Sequence, residues 1–219
     1  MGFRVVCISR TSAAGGENIG QAVAQRLGFR YVDEQIIERA AQQAEVEPAL
    51  VAKAEHRQPL LQRLLEKMTV GAALAGSATL ASGVPVDAFV PLPAASGADA
   101  NDLRVMIQAA IHEVAGAGQA VIVAHAASIA LGTTEGVLRV LVTASTDTRI
   151  RRVAELERII EAEAERRIAA SDREREEYFQ RFYRLDEELP THYDLVINTD
   201  VLTTAEAVDV VLAAVQAPA

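Results

Sequence analysis

Tryptophan is absent from this 219-residue chain, cysteine occurs once, and aromatic residues make only 4% of it. A single cysteine, Cys7, excludes a disulfide framework and a cysteine-based metal cluster. It sits inside an apolar run, where a buried inert thiol is expected. His56, His112 and His192 are scattered with no metal-ligand spacing, so no metal site is expected. Long hydrophobic runs are also missing. The nearest, Leu60 to Ala81, is interrupted by Gln62, Arg63, Glu66 and Lys67, which excludes it as a membrane span. Positive charge is in short supply: 21 basic against 30 acidic residues, a net charge of −9. That balance argues against a general nucleic-acid or anionic-membrane surface, though not against a local basic pocket for phosphate. The apolar run after Arg4 is too short for a secretory signal, so a cytoplasmic chain is expected.

Half of the residues are hydrophobic, mostly aliphatic, enough for one domain with a large core over residues 1–219. Apolar runs near 4–9, 29–32, 120–124, 138–143 and 194–198 predict five strands. Between them lie helical patterns. Asn18 to Leu27 has an apolar face of Ile19, Ala22, Val23, Ala24 and Leu27, and Gly28 is a stop. Asp33 is placed to cap a helix carrying Ile36, Ile37 and Ala40. Leu103 to Ala117 returns to helical spacing. Thr203 or Thr204 caps a closing helix to Val215, with Glu206 in its first turn. Strands alternating with helices predict a parallel sheet covered on both faces, a three-layer α/β/α fold.

Two regions interrupt this alternation. Residues 45–100 predict a helical and Ala/Gly/Pro-rich insertion. Its part from 71 to 100, with Pro85, Pro91 and Pro93, is expected to be mobile and cut first by protease. Residues 147–184 are rich in Glu and Arg at i,i+4 spacing and predict a helical lid. In a parallel sheet, ligands sit beyond the carboxyl ends of the strands. That rule gathers Arg10–Glu17, Asp33, His125 and Ala144-Ser145 around one crevice.

The first of these segments carries the strongest chemical signal. The strand Val5-Val6-Cys7-Ile8 leads into Ser9-Arg10-Thr11-Ser12-Ala13-Ala14-Gly15-Gly16-Glu17-Asn18-Ile19-Gly20, then a helix. Small residues let the backbone approach an anion, and the helix start presents N–H groups to it. Ser12, Ala13, Ala14, Gly15, Gly16, Glu17 and Asn18 are therefore the candidate phosphate-binding residues. A nucleotide loop of this kind also needs a lysine for the terminal phosphates and a hydroxyl for Mg²⁺. Gly16 and Glu17 stand at those positions, and Arg10 stands where the loop should open with glycine. A ligand-free turn is the competing reading.

Further motifs follow in order: Tyr31-Val32-Asp33; Val142 to Arg152; Ser171-Asp172-Arg173-Glu174-Arg175-Glu176-Glu177-Tyr178-Phe179; and Tyr193-Asp194-Leu195-Val196-Ile197-Asn198-Thr199. With the loop, they make the chain resemble the cytidylate kinase-like family of P-loop proteins, from Arg4 to about Val211. The resemblance implies ATP with Mg²⁺ and phosphoryl transfer to a nucleoside monophosphate. It places Asp33 near the monophosphate site and Arg149, Arg151 and Arg152 at the arginine cluster leading into the lid. Asp172 and Arg175 match residues lining the acceptor. Relatives carry Gly-Arg after the third strand, and here the pair is Ala124-His125, a departure that weakens CMP as substrate. Gly-Gly in place of Gly-Lys is common in this branch.

The expected assignments are then Arg149 and Arg152 as catalytic cations and Arg10, Asp33, His125, Asp172 and Arg175 as substrate contacts. The partner is a nucleotide or other phosphate ligand, with self-association left open. Each residue also has a plainer role. Asp172 and Arg175 could pair with each other, Arg149, Arg151 and Arg152 cannot all face one way, and the stripe Tyr178, Phe179, Phe182, Tyr183 suits core better than base-stacking. Three functions compete: a weak kinase, a nucleotide-binding or regulatory protein without turnover, and a helical interaction protein with an empty site. Glu17 is expected to repel bound phosphates, so Gly16→Lys with Glu17→Ser is expected to raise activity.

Overall fold

The computed structural model describes residues 2–33, 100–124 and 126–217, and residues 100–106 by backbone alone. The helix expected after Asp33, the helical stretch 46–70, the Pro-rich segment up to residue 99 and His125 lie outside the described residues. Five parallel strands form one sheet in the order β2-β3-β1-β4-β5. They are β1 (Val5–Arg10), β2 (Arg30–Asp33), β3 (Ala120–Val123), β4 (Val137–Thr143) and β5 (Leu195–Asn198). β1 is central, pairing Val5–Ile8 with Ala120–Val123 on one side and Val5–Arg10 with Val137–Val142 on the other. All six of its residues are buried, so the short continuous apolar run belongs to a strand covered on both faces.

The side chains of β1 alternate between two cores. Val5 and Cys7 join Ile107, Ile111 and Val114 of α2 (Ala100–Ala117) and Leu131 of α3 (Ala127–Leu131). Val6 and Ile8 join Ile19 and Val23 of α1 (Gly16–Leu27) and Ala207, Val208 and Val211 of α6 (Thr204–Gln216). Each fully buried Val or Ile contributes roughly 1.5–3 kcal/mol. Burial also pushes the Cys7 thiol up to about 12, which makes it inert at neutral pH. Two helices, α4 (Thr146–Glu157) and α5 (Glu161–Tyr183), form the charged lid-like region. It is tied to the loop after β1 by a third cluster of Ala13, Val153, Ala164 and Ile168. No helix among the described residues is long and apolar enough to cross a membrane.

Helix ends follow their local chemistry. α1 stops at Gly28, whose N–H bonds back to Ala24 and Gln25. It begins at Gly16, two residues before the amphipathic pattern, because the preceding turn and not side-chain periodicity sets its start. α6 opens with a reciprocal cap: Thr203 Oγ1 accepts from the Glu206 N–H, and the Glu206 carboxylate accepts from Thr203. Thr203→Ala should lower stability by about 1 kcal/mol. The check is a lower urea midpoint at unchanged slope. An unmoved midpoint would mean that the buried face of α6 holds the helix alone.

Candidate functional site

The connection from β1 to α1 has a backbone of the kind that suits an anion. Ala13 and Gly15 have left-handed backbones, with φ of 61° and 83°, and Ala14 between them does not have a positive φ. Such alternation turns successive N–H groups toward one concavity. Gly15 is the N-cap of α1 and supplies no side-chain cap. The first-turn N–H groups have no partner within the helix. The left-handed conformation of Ala13 is costly for a residue with a Cβ, by about 1–2 kcal/mol.

The three departures in the loop form one unit. A Cβ on Gly16 would lie 2.6 Å from Arg10 Cβ and 2.9 Å from Arg10 Cδ, so the Arg10 side chain lies across Gly16. Arg10 continues to Glu17, where its Nε–H donates to Oε1 in a buried ion pair. Glu17 Oε2 is buried without a hydrogen-bond partner. The carboxylate expected to repel phosphates is therefore neutralised by its own neighbour. Arg10 occupies the volume that a lysine at position 16 would need.

The lid arginines divide by helix face. Arg149 is buried, and its two terminal nitrogens donate to both Asp172 oxygens at 2.7 and 2.8 Å. Arg152, three residues on, donates from Nη1 to the Ala13 carbonyl at 3.1 Å and to Thr199 Oγ1 at 3.0 Å. Its Nη2 donates to the Thr199 carbonyl at 2.6 Å. Arg151 points outward to Thr148. Asp172 and Arg175 do not pair with each other. Buried Arg175 donates to Glu188 at 2.6 and 2.9 Å and to the Arg10 carbonyl at 2.9 Å. Tyr193 also donates to Glu188, and burial followed by that carboxylate raises the Tyr193 hydroxyl well above the usual phenol range. Phe179 is core, with the Arg175 guanidinium 4.7 Å from its ring centre.

A cavity of about 560 Å³ opens beside the loop. Ser12, Ala13, Ala14, Gly15 and Asn18 form one wall. Arg152, Leu156, Ile168 and Ser171 of the lid helices face it, and Thr199, Leu202 and Thr203 after β5 close it. The cavity thus brings together five of the predicted loop residues and Arg152. Arg10, Gly16, Glu17, Arg149, Asp172 and Arg175 lie outside its lining. Asp33 ends β2, in register with Val123, at the carboxyl edge of the sheet. Among the described residues, no cluster of three or more His, Cys, Asp or Glu could hold a metal ion. Sequence reasoning passed over Thr199, Leu156 and Leu202. Thr199 was findable, since it ends a strand motif at the carboxyl edge, but Leu156 and Leu202 follow no pattern short of the fold.

A five-stranded parallel sheet with helices on both faces and a glycine-rich turn after the central strand defines a P-loop kinase-like fold. The sequence profile of the cytidylate kinase-like family matches residues 5–201, and the chain belongs to that family. Among solved structures it is similar to an uncharacterised protein from Eubacterium ventriosum, at 15% identity and a TM-score of 0.65, over 98% of this chain and 99% of that one. It is also similar to shikimate kinase from Bacteroides thetaiotaomicron, at 15% identity and a TM-score of 0.48, over 97% and 98% of the two chains. No curated protein matches it.

Proposed function

We propose that this protein binds a nucleoside triphosphate such as ATP and is at most a slow phosphotransferase toward a nucleoside monophosphate. The observation that carries the reading is the alternating backbone of Ala13 and Gly15 at an uncapped helix start, beside a cavity of about 560 Å³. Backbone amides hold the polyphosphate, and the cavity takes the sugar and base between Leu156 and Leu202. That volume is within the range of small-molecule sites.

Transfer requires an oxygen of the acceptor monophosphate to bond to the γ-phosphorus. The bond from that phosphorus to the β,γ-bridging oxygen breaks, and the nucleoside diphosphate leaves with that oxygen. Catalysis of this step is positioning plus cationic charge at the moving phosphoryl group. Where a loop of this kind places its Mg²⁺ hydroxyl, this chain has Glu17 paired to Arg10. That position does not fit an ion held by the loop, so the charge has to be met by arginines. Arg10, Arg149 and Arg175 each already face a carboxylate, and Arg152 holds backbone and Thr199. Binding without fast turnover is the reading these contacts favour.

Titration calorimetry with ATP, CMP and dCMP, each with and without Mg²⁺, tests it. ATP should bind with little dependence on Mg²⁺, and NMR should show the amides of residues 12–17 moving with phosphate or ATP. If millimolar ATP and phosphate leave those amides unmoved, the nucleotide reading is wrong.

A further inference from the structure

We infer that Thr199 is a positioning residue that aims the Gly15 amide of the anion loop, an inference resting on the nucleotide-loop reading above. Thr199 follows β5 and is 5% exposed. Its hydroxyl has one proton to give. Arg152 Nη1 approaches it at 3.0 Å, and a guanidinium can only donate. The hydroxyl must therefore give its proton to a carbonyl, and of the two within reach Ala14 O, at 2.9 Å, lies closer than Thr143 O, at 3.3 Å, which already accepts from the Thr199 N–H. Arg152 takes the adjacent carbonyl, Ala13 O, at 3.1 Å. Two successive peptide units of the loop are thus gripped by their oxygens.

In a planar trans peptide the carbonyl and the following N–H point in opposite directions. Fixing Ala13 O fixes the Ala14 N–H, which closes the turn onto Thr11 O at 3.2 Å. Fixing Ala14 O fixes the Gly15 N–H, directed away from Thr199. The left-handed backbone at Ala13 and Gly15 is the conformation this grip maintains.

Thr199 is itself anchored. Its N–H donates to Thr143 O at 2.8 Å, in line with the β4–β5 pairing. Asp200 Oδ1 accepts from Ser145 N–H at 2.9 Å and from Ser145 Oγ at 3.0 Å, and Asn198 Oδ1 accepts from the Asp200 N–H at 2.9 Å. The run Asn198-Thr199-Asp200 therefore joins β5 to the start of α4 and transmits a fixed position to the loop. This gives Arg152 a task as well: it orients the Thr199 hydroxyl.

The test compares Thr199→Val, which keeps the shape and loses the hydroxyl, with Thr199→Ser, which keeps the hydroxyl. In ligand-free, isotope-labelled protein, the residual dipolar coupling of the Gly15 N–H reports its direction. It should change in the valine variant and return in the serine variant, with couplings along β1 and β4 unchanged. Inorganic pyrophosphate should bind the valine variant about tenfold more weakly, the effect of losing one hydrogen bond, and the serine variant like wild type. If the valine variant does not fold, Arg152→Met, which leaves the hydroxyl unoriented, should shift the same coupling in the same sense. An unchanged Gly15 coupling in folded Thr199→Val overturns the inference. A coupling that shifts as expected in a chain whose wild type ignores pyrophosphate instead overturns the nucleotide reading.

Discussion

Gly16→Lys, the substitution that would complete the loop sequence, is expected to destabilise the protein instead of creating a kinase. A side chain at position 16 starts 2.6 Å from Arg10 Cβ, an atom next to the backbone of β1 that cannot swing aside. Overpacking of this kind costs about 1–3 kcal/mol. Adding Glu17→Ser, as the sequence alone recommends, removes the partner of a buried guanidinium, which costs about 3–5 kcal/mol. Together these losses approach the whole stability of a typical domain, about 5–15 kcal/mol. The structure thus replaces the expected gain with an expected loss, because Arg10, Gly16 and Glu17 are one packed unit. The change that respects this unit is the triple Arg10→Gly, Gly16→Lys, Glu17→Ser, which frees the volume and removes both charges. Urea unfolding should place the double variant far below wild type and the triple variant close to it. A double variant as stable as wild type would show that Arg10 does not fill the loop.

The frame of this fold is written in short-range patterns. β1, β3 and β4 are largely apolar runs bounded by polar or small residues, the pattern of parallel strands covered on both faces. α1 and α6 carry both a periodic apolar face and end signals, Gly28 and Thr203. α3 is only five residues long, below the length at which periodicity shows, and it was not predicted. The turn after β1 was legible from its small residues. What surrounds it was not, because its charges find partners across the fold: Arg149 pairs 23 residues away and Arg175 pairs 13 residues away. Sequence placed these arginines at a ligand, where local spacing offered no competing carboxylate except Asp172 for Arg175. The fold supplies Asp172 to Arg149 and Glu188 to Arg175, and these pairs tie the lid helices to each other and to the segment before β5. Thr199 shows the reverse case, a residue whose sequence context read only as the end of a strand and whose contacts reach the loop's backbone.

Turnover of ATP and CMP should fall below the range of about 1–100 per second usual for kinases. Removing one preorganised donor or cation from a developing charge costs about 3 kcal/mol, and each 1.36 kcal/mol is tenfold, so one missing lysine is about a hundredfold in rate. The arginines do not restore it while they hold their present partners. Releasing Arg10 from Glu17 strands a buried carboxylate as well as moving a cation, and releasing Arg149 from the half-exposed Asp172 breaks a two-point pair, costs the incoming phosphates must offset. A coupled assay with ATP and CMP, run beside nucleotide binding, separates the cases. Tight binding with turnover below about one per second is the expected pairing. Turnover inside the usual range would overturn the argument and mean that an arginine changes partner when nucleotide enters. Asp172→Asn and Glu17→Gln would then identify it: weakening the hold on the mobile arginine should raise the rate, whereas the same change at a purely structural pair should only lower stability.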